Sequence, residues 1–139
     1  MIVQKFGGTS VANAQVMDKA LDLALRDIDR APLLVASAMS KVTDTLISIR
    51  DKAVSGLILE AQKEIEALHT RHRATAEAFL SGENLEAGVC SLDKLFEELS
   101  GLVRGLFLLR ECTPRSSDAV VSFGERLSTT LLFYRARER

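Results

Sequence analysis

The chain of 139 residues contains no tryptophan, two prolines, two cysteines and only 5% aromatic residues. No apolar run is long enough for a signal peptide or a membrane span, so we expect neither. The net charge of −1 provides no basic surface for nucleic acid or for an anionic membrane. The two cysteines, Cys90 and Cys112, lack metal-site spacing, which favours free thiols in a reducing cytoplasm over a disulfide.

The residues that are abundant are those of a globular domain. Hydrophobic residues make up 47% of the chain and charged residues 27%, and no repeat is evident. A chain of this length buries roughly two-thirds of its unfolded surface when it folds. We therefore expect one domain with a sizeable core.

The N-terminal part alternates between strand and helix patterns. Residues 1–6 and 33–37 are short apolar runs typical of strands, and each precedes a helical apolar period, at 13–30 and at 42–53. Thr43 is a candidate N-cap for the second helix. This order predicts an α/β fold with parallel strands and crossover helices.

The middle of the chain has a different pattern. Apolar residues keep a helical period over 57–80 and again over 85–106, separated by the turn sequence SGEN at 81–84. The pattern predicts a long antiparallel helical hairpin over about 57–112. Its second helix contains three glycines that either permit close helix packing or make the helix irregular: Gly88, Gly101 and Gly105.

The last segment, 116–139, predicts a final helix with serine and aspartate caps at its start and Gly124 in its middle. Arginines at its C-terminal end suit the negative end of the helix dipole. The sequence therefore predicts helices throughout the hairpin and the last segment.

The first candidate site is the stretch VQKFGGTSVANA at 3–14. A glycine loop that leads into a helix exposes backbone N–H groups able to hold an anion, and Lys5 adds a positive charge beside Gly7 and Gly8. The pattern differs from a Walker A loop, in which the lysine follows the glycines. The alternative is a surface lysine beside an ordinary turn.

The second candidate site is SAMSKVTD at 37–44, which follows the second predicted strand. Ligands of parallel sheets gather beyond the carboxyl ends of the strands, so this loop should lie beside the first one. Ser37, Ser40 and Thr43 offer hydroxyl groups suited to a small molecule. The alternative is that Thr43 and Asp44 merely cap the next helix.

The third candidate lies in SFGERLS at 122–128, where Glu125 is flanked by apolar helix positions. A carboxylate in such surroundings needs a cation, either Arg126 or a ligand ammonium, unless Glu125 is an ordinary surface residue.

His69 and His72 stand three residues apart, but His72 falls on the apolar face of the first hairpin helix. A packed histidine is therefore expected there rather than a metal ligand.

The three stretches together resemble a known family. KFGGTSVA at 5–12, SAMSKVTDTL at 37–46 and SFGERLST at 122–129 are similar, in order and spacing, to the three N-terminal motifs of aspartate kinases, in the amino-acid kinase family. The hairpin resembles the long helical insertion of the larger aspartokinases. Acetylglutamate and uridylate kinase relatives would share the fold but lack this combination of motifs.

The resemblance covers essentially all of residues 1–139, which match only the N-terminal portion of that family's catalytic domain. It implies a larger enzyme, a homo-oligomer, of which these residues alone are an inactive fragment. FLLREC at 107–112 resembles the bifunctional aspartokinase–homoserine dehydrogenases, whereas STTLLFYRARER at 128–139 equally resembles the monofunctional lysine-sensitive form. Both forms stay open.

The resemblance also implies the reaction, in which ATP with Mg²⁺ phosphorylates the β-carboxylate of L-aspartate on the way to lysine, threonine and methionine. It implies that Lys5 contacts the transferred phosphoryl group, beside backbone N–H groups of the glycine loop. The substrate aspartate would contact Thr43 and Glu125, with Ser37 as a neighbour. The remaining nucleotide-binding positions of the glycine loop are Gly7, Gly8 and Ser10. The alternative outside enzymes is a helical interaction module that retains an inactive kinase-like lobe.

Overall fold

The computed structural model describes residues 1–139 and contains two strands and five α-helices. Short 3-10 turns follow the first strand, at Gly8–Val11, and the first helix, at Ile28–Arg30. The α/β class, the parallel strand pair and the long hairpin predicted from sequence are all confirmed. In chain order the elements are β1 (Ile2–Phe6), α1 (Ala14–Arg26), β2 (Pro32–Ala36), α2 (Val42–Val54), α3 (Ile58–Phe79), α4 (Gly82–Leu109) and α5 (Pro114–Glu138).

The two strands form a parallel pair in which Ile2 lies opposite Pro32 and Phe6 opposite Ala36. The helix α1 is the crossover between them. Because the strands run in the same direction, the loops that follow Phe6 and Ala36 leave the sheet at the same edge. This places the first two candidate stretches side by side.

The helices and the sheet share one core of 26 buried apolar residues. The helix α2 is central, since it packs against α3, α4 and α5. Leu46 and Ile49 of α2 and Leu127 and Leu131 of α5 are fully buried. The hairpin formed by α3 and α4 is therefore held against the rest of the domain by the same hydrophobic burial that folds it. None of the helices combines the length and the apolar character needed to span a bilayer.

The helix starts differ from the predicted ones. Helix α2 begins after Lys41, a residue in the left-handed region (φ 65°), and no side chain caps it. Thr43 lies inside its first turn, so the predicted capping by Thr43 and Asp44 is wrong. Helix α5 begins earlier than predicted, because the Thr113 hydroxyl accepts from the N–H of Ser116 at 3.1 Å. The expected serine and aspartate caps are therefore also wrong.

Helix α1 and the turn of the hairpin are both shorter than the sequence predicts. Helix α1 ends at Arg26, and residues 27–30 form a separate 3-10 turn before β2. The turn of the hairpin is only Leu80 and Ser81, because Gly82 already begins α4 with a φ of 51°. A side chain at Gly82 would be strained, since L-residues avoid this region of backbone space.

Helix α4 continues unbroken through the three glycines that follow Gly82, which are Gly88, Gly101 and Gly105. A Cβ on Gly88 would stand 3.0 Å from the Leu80 side chain and 3.4 Å from the ring of Tyr134. Gly101 and Gly105 face open space. Close packing therefore accounts for Gly88 alone, and the other two glycines have no packing role that the structure shows.

Candidate active site

The glycine loop turns sharply after β1. The carbonyl of Gly7 accepts a hydrogen bond of 2.9 Å from the N–H of Ser10, which closes a 3-10 turn anchored by the buried Val11. A Cβ on Gly8 would lie 3.3 Å from the carbonyl oxygen of Ala38, so the glycine lets this loop rest on the second one. Nothing lies within 4 Å of the Cβ position of Gly7, which leaves its backbone open to a ligand.

The second loop is fixed through its backbone. The N–H of Ser37 donates to the carbonyl of Phe6 at 3.0 Å, which extends the strand pairing by one step. The carbonyl of Ser37 accepts a 2.7 Å hydrogen bond from the hydroxyl of Ser128 on α5. The carbonyl of Ser40 accepts a 2.8 Å hydrogen bond from the guanidinium of Arg71 on α3. Three elements, β1, α3 and α5, thus hold this loop in place.

The third motif presents Glu125 from α5. Its side chain is half-buried, and its carboxylate makes no hydrogen bond or ion pair within the protein. Arg126, one of the two expected partners, instead forms an ion pair of 2.8 Å with Glu98. That interpretation is therefore wrong, and Glu125 has no protein cation as its partner.

The predicted polar site side chains share one property, which is that none of them hydrogen-bonds to another protein group through its side chain. Lys5 is an exposed residue of β1, in register with Val35 of β2. The structure brings the three motifs together through other contacts and leaves these side chains without a protein partner: Lys5, Ser10, Ser37, Thr43 and Glu125. An ammonium at the end of β1, hydroxyl groups on and beside the two loops and a carboxylate on α5 suit an anionic group beside an amino acid.

Two residues that hold the site were missed by sequence reasoning. Ser128 is fully buried on the α5 face that packs on the second loop, and it lies within a motif already quoted. A serine on an apolar helix face is a signal that could have identified it. Arg71 lies between two histidines in HTRHR, and its contacts reach backbone atoms that carry no sequence signature.

The two histidines pack against the same ring, that of Phe96, and have different hydrogen-bond partners. His72 is fully buried, and its Nδ1 lies 2.7 Å from the carbonyl of Leu68. Burial lowers the pKa of His72 to about 4. His69 stacks on Phe96 and places its Nε2 2.6 Å from the carboxylate of Asp93. The prediction that His72 is a packed histidine is confirmed.

Comparison with known proteins points to the family that the three motifs resemble. The chain matches the amino acid kinase family over residues 1–137. It is 37% identical to aspartokinase 1, chloroplastic, of Arabidopsis thaliana over 131 residues, which are 93% of this chain and 22% of that protein. It is 33% identical to the bifunctional aspartokinase/homoserine dehydrogenase 2, chloroplastic, of the same plant, over 98% of this chain and 15% of that protein.

Solved structures show the same fold. Aspartokinase III of E. coli in complex with lysine and aspartate aligns with a TM-score of 0.82 at 29% identity, over 99% of this chain and 29% of that one. The same enzyme in complex with aspartate and ADP gives a TM-score of 0.81 at 28% identity, over 100% of this chain and 29% of that one. The chain spans less than a third of each of these proteins. Because the family match extends over residues 1–137 and the fold agrees with it, the chain belongs to the amino acid kinase family.

Proposed function

We propose that this chain is part of an aspartate kinase, which transfers a phosphoryl group from ATP to the β-carboxylate of L-aspartate. The observation that carries the proposal is the meeting of the three motifs at one sheet edge, where Lys5 and Glu125 have no protein partner. The relatives named aspartokinases support it, as do the E. coli complexes with aspartate and ADP.

The chemistry requires little of the side chains beyond positioning and charge. The β-carboxylate of aspartate is ionised at neutral pH, so no general base has to remove a proton before it attacks. Lys5 would stabilise the charge on the transferred phosphoryl group, together with the backbone N–H groups of Gly7 and Gly8 at the start of the 3-10 turn. Ser10 would add a hydroxyl donor to the phosphate groups.

The substrate aspartate carries both charges that the other residues can match. Glu125 would bind its ammonium group, which supplies the cation that the protein itself does not. The hydroxyls of Ser37 and Thr43 would hold its carboxylates. Each of these interactions uses a side chain that has no hydrogen-bond partner within the protein.

The residues present also fit ATP better than they fit a protein-held metal ion. The motifs offer an ammonium group, N–H groups and hydroxyls, which suit phosphate oxygens, whereas Mg²⁺ prefers clustered carboxylates and water. When bound with ATP, Mg²⁺ would neutralise phosphate charge, held chiefly by the nucleotide.

The wider context stays a prediction. It includes a role in lysine, threonine and methionine synthesis, a homo-oligomeric enzyme, and no activity from residues 1–139 alone. The cytoplasmic location rests on two free cysteines, Cys90 and Cys112, whereas the plant relatives are named as chloroplastic proteins.

A second candidate function is that of a helical interaction module. Four leucines at the same end of the hairpin are exposed, two at the start of α3 and two at the end of α4: Leu57, Leu59, Leu108 and Leu109. An exposed apolar cluster is typical of protein–protein contact. This candidate predicts no affinity for aspartate.

Calorimetric titration of the full-length protein with aspartate separates the two candidates. We expect Glu125→Gln to weaken aspartate binding by about tenfold or more, because a charged hydrogen bond is lost, while the thermal unfolding curve stays unchanged. The matched control is Glu97→Gln, since Glu97 is exposed and forms no ion pair, and this variant should leave the affinity as it was. Absence of binding by the unaltered protein, or an affinity indifferent to Glu125, would overturn the proposal. Formation of aspartyl hydroxamate from ATP, Mg²⁺, aspartate and hydroxylamine tests the reaction itself.

A further inference from the structure

A single arginine of the hairpin contacts both candidate ligand loops. Arg71 lies on α3, and its Nη1 donates to the carbonyl of Ser40 at 2.8 Å. Its Nη2 donates to the carbonyl of Ala12 at 3.3 Å. Ser40 belongs to the loop after β2, and Ala12 ends the 3-10 turn of the glycine loop. The two carbonyls are 28 residues apart along the chain and share one guanidinium.

The charge of Arg71 is directed at these backbone carbonyls. Other arginines that contact neighbouring elements pair with carboxylates, as Arg135 does with Asp18 at 2.7 Å and Arg126 with Glu98 at 2.8 Å. Arg71 forms no ion pair, and its side chain is half-buried between the hairpin and the loops. Hydrogen bonds from a charged donor are roughly twice as strong as neutral ones. The bridge therefore holds the two loops in a fixed relation.

The geometry requires an arginine. A guanidinium is planar and presents its N–H donors at fixed spacing, so one group reaches two acceptors at once with little loss of side-chain freedom. A lysine ammonium is a single point at the end of a flexible stem and would favour one carbonyl over the other. The close approach of Gly8 to Ala38 also joins the loops.

We infer that Arg71 is a positioning residue that couples the two loops, so that occupation of one loop changes the affinity of the other. The inference rests on the proposed function, in which the glycine loop takes a phosphate-bearing ligand and the second loop takes an amino acid. A ligand that orders the glycine loop also orders the second loop through Arg71, and the reverse follows by thermodynamic linkage. The hairpin thereby gains a role in the site, because movement of α3 would displace both loops together.

The first test needs no ligand. Hydrogen exchange measured by mass spectrometry on the full-length protein follows amides in peptides covering residues 7–13 and 37–42. We expect Arg71→Gln to accelerate exchange in both peptides by about fivefold or more, because each loop loses a charged hydrogen bond. The matched control is Arg73→Gln on the same helix, since Arg73 pairs with Glu77 on the surface and should leave both peptides unchanged. Acceleration in one peptide only, or in neither, would overturn the bridge.

The second test measures the coupling. The dissociation constant of aspartate is determined with and without a non-hydrolysable ATP analogue and Mg²⁺, and the ratio is the coupling factor. We expect Arg71→Gln to bring this factor towards one and Arg71→Lys to restore part of it, whereas Arg73→Gln keeps the original value. An unchanged factor in Arg71→Gln contradicts the inference alone. A protein that binds neither ligand contradicts the proposed function, and the exchange data then decide the bridge by themselves.

Discussion

Gly124 lies so close to Ala38 that a Cβ added to the glycine would stand 2.7 Å from the Cβ of Ala38. The same added atom would be 3.5 Å from Leu46 and 3.7 Å from Val42 on α2. One turn further along α5, Ser128 hydrogen-bonds to the carbonyl of Ser37. A glycine and a serine on one face of α5 therefore seat this helix against the loop that follows β2.

This contact predicts opposite effects of the same substitution at two helical glycines. Gly124→Ala should lower the free energy of unfolding by about 1–3 kcal/mol, because overpacking against Ala38 outweighs the gain in helix propensity. Gly101→Ala on α4 places its methyl group in open space and should raise the free energy of unfolding by up to about 1 kcal/mol. Urea unfolding curves measure both. Equal stabilisation by the two substitutions would show that the loop yields to the extra methyl group.

Ser128→Ala should reduce both stability and ligand affinity. The substitution removes the donor to the partly buried carbonyl of Ser37 and should reduce the free energy of unfolding by about 1 kcal/mol. Aspartate affinity should fall with it, although Ser128 itself is buried, because the second loop loses an anchor. Ser122→Ala is the control, since the exposed Ser122 hydroxyl bonds only to a carbonyl of its own helix. If both variants behave alike in unfolding and titration, the hydrogen bond to Ser37 has no positioning role.

The elements of this fold follow from apolar periodicity, whereas their ends do not. The predicted strand at 33–37 is found at Pro32–Ala36, and the helical period over 57–80 becomes α3 at Ile58–Phe79. Burial of one face decides these elements, and the sequence records it. The start of α2 depends on Lys41 in a left-handed conformation, which its residue type does not favour. Tertiary packing of the 37–41 loop overrides the local preference there.

The residues of the candidate site also divide into those that the sequence identifies and those that only the structure shows. Lys5, Gly8 and Glu125 belong to motifs that can be recognised in one sequence. Arg71 cannot be found in that manner, because its acceptors are main-chain carbonyls of Ser40 and Ala12, 31 and 59 residues away. Any residue presents such a carbonyl, so only the folded structure shows which ones an arginine reaches.

His72 predicts a dependence of stability on pH. Burial lowers its pKa to about 4 in the folded state from an ordinary value of 6.5. Between these values the unfolded chain binds a proton that the folded chain does not, so stability is full above pH 6.5 and falls as the pH drops towards 4. The loss should be on the order of 3 kcal/mol. His72→Leu should remove this part of the decline in urea midpoints.

The control for that series is Thr70→Ala, because Thr70 is an exposed, uncharged residue of the same helix. This variant should keep the decline of the unaltered protein. Carboxylates contribute to acid unfolding in every variant, so the difference between two curves isolates the histidine. Parallel curves for the unaltered protein and His72→Leu would mean that the buried ring is not what couples stability to pH.

Glu138 should give a second dependence of stability on pH, at more acidic pH than that of His72. Its carboxylate accepts a 2.6 Å hydrogen bond from the N–H of Ser81 in the hairpin turn and a 2.8 Å bond from Arg135. The Ser81 N–H chiefly, with Arg135, lowers the pKa of Glu138 below its usual value of 4.5. Because the folded pKa is the lower one, the stabilisation is present above pH 4.5 and is lost as the pH falls through the folded value.

Glu138→Gln should therefore lower the free energy of unfolding by about 1 kcal/mol at pH 7. At a pH where the glutamate is already protonated, the substitution should change it very little. Glu97→Gln is the control, since Glu97 is exposed and forms no ion pair. Urea midpoints at pH 7 and at the lowest pH at which the protein still folds give the comparison. The carboxylate ties the end of α5 to the turn of the hairpin, so its loss should also speed amide exchange at Ser81. A cost of the same size at both pH values would show that the side chain acts by packing, with no contribution from its charge.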